Sequence, residues 1–178
     1  KSSGNIIVRS ADAGVAGVSG SLSFSSGTTS SGSSGTVVIS TGQAKAAGAA
    51  GAIVLSVGST TSGAGGYVNI GASTSSTNTG GFVSVQSGSG TAKSSGSVIV
   101  KSPDAGGAGT SGVLQFQTGQ ATAGSSGSID LTTGNAAGTN AASGNIVASI
   151  GTASNSVGGT VQFTGGLSSS ATGGHVSL

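Results

Sequence analysis

Along this chain, apolar residues return in pairs two positions apart, each pair opened by a glycine and followed by a longer polar stretch. The opening glycines are Gly4, Gly20, Gly35, Gly51, Gly66, Gly81, Gly96, Gly112, Gly127, Gly144, Gly159 and Gly174, and neighbours lie 15 to 17 residues apart. Two residues after each anchor stand Ile6, Leu22, Val37, Ile53, Val68, Val83, Val98, Leu114, Ile129, Ile146, Val161 and Val176. Four residues after each stand Val8, Phe24, Ile39, Leu55, Ile70, Val85, Val100, Phe116, Leu131, Ala148, Phe163 and Leu178. A spacing of two is the strand period, in which alternate side chains share a face. A register held this long argues for a repeat architecture rather than the disorder that glycine- and serine-rich composition alone would suggest.

Each repeat predicts strand, corner, weaker strand, corner. Ser26, Thr41, Ser87, Thr118 and Thr133 end first strands. Gly27, Gly42, Gly58, Gly88, Gly119, Gly134, Gly151 and Gly166 then stand where a sharp corner would use glycine's access to positive φ. Pro103 takes that corner once, where its fixed φ suits a turn. A stretch of small residues follows, and many repeats close on Gly-x-x-Gly, as from Gly32 to Gly35 and from Gly48 to Gly51.

The predicted fold class is therefore all-β: a flattened parallel β-solenoid of 12 coils, 15–16 residues each, running as one continuous solenoid over residues 1–178. Coils would stack at the interstrand spacing of about 4.8 Å. The two apolar columns, Ala148 and the final Leu178 aside, form the predicted core, facing a wall of Ala, Ser and Gly. Alternation sends Ile7, Val38, Val54, Ile99 and Val147 to the opposite, outward face, with Tyr67, Phe82 and Val113 on the same side. These are the predicted lateral contacts, because apolar residues repeated along one face mark an interaction surface.

A longer period lies above the first. KSSGNIIVRSADAGVAGVSG from Lys1 matches KSSGSVIVKSPDAGGAGTSG from Lys93, an offset of 92 residues or six coils. Another match, from Gly65 to Gly158, is offset by 93, and the long coil between Gly127 and Gly144 absorbs the extra residue. Super-repeat one covers residues 1–92; super-repeat two covers 93–178 and is incomplete. The chain reads as a window on a longer array, with open strand edges that favour end-to-end growth.

Composition then narrows the chemistry. Among 178 residues there are 37 Gly and no Cys, which excludes disulfides and thiolate metal sites. Only 4% of residues are charged. The basic pI of about 9.4 rests on Lys1, Arg9, Lys45, Lys93 and Lys101 against Asp12, Asp104 and Asp130. With no basic run and no interleaved aromatics, nucleic acid is not an expected partner. No apolar run is long enough to span a membrane as a helix. His175 is the single histidine, too few for a metal site or a triad. Three aspartates and abundant serines with no accompanying base do not assemble a hydrolase. No enzyme activity, cofactor or metal is expected. Charge recurs once per six coils, and Arg9–Asp12 and Lys101–Asp104 are the expected local pairs, which could also mark register in an assembly.

Units such as SGSVIVKS, GSSGSIDLTTG and GGFVSVQSGSG resemble the long Gly/Ser/Thr-rich repeat proteins of algal cell surfaces, of the diatom and stramenopile type. The resemblance covers the whole chain and implies an extracellular fibre, filament or surface coat, with the chain itself as principal partner. O-linked glycans are a further expected partner given the Ser/Thr content, whereas no Asn-x-Ser/Thr acceptor occurs. The alternative is an ice-binding surface built on Ser/Thr ranks, with Thr28 and Ser30, Ser59 and Thr61, Thr74 and Ser76, and Thr152 and Ser154 in matching places.

Overall fold

The structure is a computed structural model that describes residues 3–46 and 48–177. Leu178, the last member of the second column, and Lys1, the first recurring charge, lie outside the described residues. The chain divides into two units, Lys1–Val85 and Gln86–Leu178.

Neither unit contains a helix or a strand among the described residues, so the predicted parallel β-solenoid is not the fold. Backbone–backbone hydrogen bonds between described residues join groups three or eight positions apart, as in Gly48 N–H to Lys45 O and Gly96 N–H to Gly88 O. None links a residue to its equivalent in the next repeat. A globular chain carries about one hydrogen bond per residue, most of them in ladders or helices. Among the described residues there are accordingly no open strand edges to drive end-to-end growth.

The correction has a physical reason. A period shows where equivalent residues lie, not whether they pair. Only two inward apolar positions alternate in each repeat, whereas a strand signal runs over roughly four to eight residues. Full burial of two such side chains would contribute about 3–6 kcal/mol per repeat. Ordering a backbone residue costs about 1–2 kcal/mol, so fifteen residues far exceed that gain. Glycine loses most of all on ordering. The small residues of the opposite wall add little apolar surface to offset the difference.

The surface reflects this. Total accessible area is 17337 Å². For a 16.0 kDa chain, a compact monomer exposes about 7,400 Å² and an unfolded chain about 23,000 Å². No described apolar side chain is buried.

What the repeat does specify is a closed loop. The backbone bends at residues 15–17, 30–32, 46, 61–63, 76–78, 91–93, 107–108, 122–124, 138–140, 154–156 and 169–171. Each bend begins five residues before the next anchor glycine, or six in the long repeat ending at Gly144. After the bend the chain returns, and the residue six places beyond one anchor lies against the next anchor. Ser26 thus meets Gly35, Thr41 meets Gly51, Ala72 meets Gly81, and Thr118 meets Gly127. In the last such loop Gly165 and Gly166 together meet Gly174. Three closures carry a backbone hydrogen bond: Gly81 N–H to Ser73 O at 2.9 Å, Gly96 N–H to Gly88 O at 2.9 Å, and Gly174 N–H to Gly166 O at 2.8 Å.

There is accordingly one bend per repeat, not two corners. The expected first-corner glycines, from Gly27 to Gly166, are not where positive φ occurs. Among described glycines it occurs at Gly17, Gly32 and Gly124, each three residues before an anchor and at the end of a bend. At four anchors, Gly66, Gly81, Gly159 and Gly174, glycine admits a close approach. A Cβ on Gly66 would lie 2.7 Å from Cγ1 of Val57, and one on Gly81 would lie 3.2 Å from both Ala72 Cβ and Ser73 N.

In seven of the eleven bends the position six before the anchor secures the bend, in one of two ways. Where it is Ser or Thr, its hydroxyl accepts a backbone N–H. Gly63 N–H donates to Thr60 Oγ1 at 3.1 Å, Asn78 N–H to Ser75 Oγ at 3.0 Å, and Ala171 N–H to Ser168 Oγ at 2.9 Å. Thr29 Oγ1 accepts from Ser31 N–H at 3.2 Å and also donates to Ser31 O. Where the position is Lys45, Gly106 or Gly138, its own carbonyl instead accepts from the N–H three residues on.

Candidate functional site: an exposed apolar repeat surface

The short apolar segments after each anchor retain a local alternation. From Leu22 to Val176 the first column is 45–62% exposed, and the second column, from Val8 to Phe163, 60–77%. The outward residues Ile7, Val38, Val54, Ile99, Val147, Tyr67 and Phe82 are 76–89% exposed. The first column is thus partly shielded, the second scarcely more than the outward residues, and no enclosed core forms among the described residues. Ile6 is 94% exposed.

Two hydrogen bonds mark the outward strip, on which residues one, three and five beyond an anchor share a side. Gln115 Nε2 donates to Gln117 Oε1 at 2.6 Å, and Ser128 Oγ donates to Asp130 Oδ2 at 3.2 Å. In the same unit, Phe116 and the next repeat's Ile129, Asp130 and Leu131 line an open recess of about 230 Å³. Phe116 and Leu131 occupy the same register position in consecutive repeats, so the second apolar columns approach each other without sealing.

Charges are sparse and exposed. Arg9 and Asp12 form the expected pair, at 4.0 Å between Nη1 and Oδ2. The expected counterpart between Lys101 and Asp104 does not form among the described residues. No group of three or more potential metal ligands assembles among them either. His175 is exposed on the outward strip of the final repeat. No helix is long and apolar enough to cross a membrane.

The Ser/Thr ranks fall differently from the flat surface that an ice lattice would need. Ser30, Thr61, Ser76 and Ser154 are the first residues of bends, and their partners Thr28, Ser59, Thr74 and Thr152 sit just ahead of them. The hydroxyls that cap three of these bends, those of Thr29, Thr60 and Ser75, belong to a neighbouring position that the ranks did not include.

Comparison with protein-family models, with curated proteins and with solved structures finds no match.

Proposed function

We propose that this chain is a non-catalytic structural repeat whose exposed apolar strips associate with those of other copies, forming an extracellular fibre or coat. The observation that carries the reading is the periodic apolar surface: every repeat presents large aliphatic or aromatic side chains, and none of the described ones is buried. Accessible area exceeds that of a compact monomer by about 10,000 Å², whereas a stable protein–protein interface needs only about 1,600 Å². Contacts of this kind are weak individually, but repetition along the chain supplies avidity. The resemblance to algal cell-surface repeats supports placing the assembly outside the cell.

The test is self-association of the chain measured by light scattering and sedimentation across a concentration series. Association is expected in the micromolar range, weakened about tenfold or more by Val38→Lys with Val54→Lys, because charges placed in an apolar contact must be desolvated. A discrete monomer at all concentrations, or assembly indifferent to both substitutions, would remove the basis for this reading.

A further inference from the structure

We infer that a lysine–aspartate pair between two copies, Lys101 of one with Asp130 of the other, sets the register of self-association. This rests on the assembly reading above and names the contact that orients it.

The outward strips are nearly free of charge. Reading one, three and five residues beyond each anchor, the only Lys, Arg, Asp or Glu side chains are Arg9, Lys101 and Asp130. Arg9 already has Asp12 within 4.0 Å, whereas Lys101 and Asp130 enter no ion pair among the described residues. Asp130 accepts one hydrogen bond, from Ser128 to Oδ2, and its other oxygen accepts none from the described residues. One unpaired cation and one unpaired anion therefore occupy otherwise neutral strips of the same unit, two repeats apart.

That spacing suits a second copy of the chain. With two copies related by a two-fold axis near Gln115, the strip carrying Ile99 and Lys101 meets the partner's strip carrying Ser128 and Asp130. The same contact is made again by symmetry, as in any isologous interface. Phe116, Ile129 and Leu131 give the recess an apolar wall, and Asp130 borders it. A lysine fits both parts, its methylene stem on the apolar wall and its ammonium at the carboxylate. Neighbouring Val113, 90% exposed, adds apolar surface close to the axis. Complementary charge of this kind fixes register and orientation more than it adds affinity.

The test uses the full chain with Lys101→Asp, Asp130→Lys and the double exchange, read by sedimentation and by cross-linking of amine to carboxylate followed by peptide mapping. Wild-type cross-links are expected between positions 101 and 130 of different copies. Each single reversal is expected to abolish them and raise the association threshold about tenfold. An equimolar mixture of the two single variants, or the double exchange, restores the threshold. If assembly occurs but neither reversal changes the threshold or the cross-link map, the register pair is refuted while the assembly reading stands. A wild-type chain that remains monomeric refutes both.

Discussion

Replacing Gly81 with valine should open a single loop and leave its neighbours closed. The Gly81 N–H donates to Ser73 O at 2.9 Å, closing a ring of nine residues. Bringing the ends of such a ring together costs about 2 kcal/mol from the (3/2)RT ln n relation. One exposed hydrogen bond returns only about 0.5–1.5 kcal/mol. The difference is made up at the bend, where the Ser75 hydroxyl holds the Asn78 N–H at 3.0 Å and shortens the freely moving chain. A Cβ at position 81 meets Ala72 Cβ, Ser73 N and Ser73 Oγ all at 3.2 Å, so alanine strains the closure and the γ-methyls of valine spread it. Backbone amide exchange followed by NMR reads the effect at single residues. In the wild type the Gly81, Gly96 and Gly174 amides should exchange about 2- to 13-fold more slowly than sequence-corrected rates, the equivalent of one such bond. In Gly81→Val, protection should vanish at position 81 and persist at Gly96, whose closure to Gly88 belongs to the other unit. The reasoning fails if those three amides exchange as fast as the Gly35 and Gly127 amides, or if the substitution abolishes protection at Gly96 as well.

Other expectations follow from the same geometry. Ser75→Ala should speed exchange of the Asn78 amide about fivefold, and Ser75→Asp, which keeps an acceptor oxygen, should restore it; unchanged exchange in the alanine variant would count against side-chain capping. Gly124→Ala, at φ +146°, should weaken its bend by about 1 kcal/mol with no steric contact involved, whereas Gly106→Ala, with open space and no positive φ, should be nearly neutral; equal effects on local NMR couplings would contradict the assignment to backbone strain.

The repeat itself was readable in the apolar pairs and anchor glycines, and the backbone keeps that register in the placement of its bends. Local alternation was readable too, since Val37 is less exposed than its outward neighbour Val38. The Arg9–Asp12 pair could be expected from their separation of three residues. Pairing between repeats could not be read in this way: a spacing of two identifies a shared face, but a ladder depends on the ordering cost of the small residues in between. The reason for glycine at anchors such as Gly66 and Gly81 could not be read either, because it is approach by a neighbouring segment, which no local pattern announces. The capping position was hidden for a different reason. Thr60, Ser75, Lys45 and Gly138 differ chemically, yet each secures a bend, because a carbonyl can stand in for a hydroxyl.

The nine-residue closures also determine how the chain would respond to tension. Ser73 and Gly81 are held within hydrogen-bonding distance, although the chain between them would span roughly 25 Å if drawn straight. Each of the three hydrogen-bonded loops is thus a reserve of slack behind a fastener worth about one hydrogen bond. A pull on the backbone would release that slack loop by loop, before any load reached covalent geometry. Because each fastener joins a repeat to the anchor directly after it, it could re-form on relaxation without finding a distant partner. Stretch and recovery would then be properties of the individual loop, present before any assembly forms.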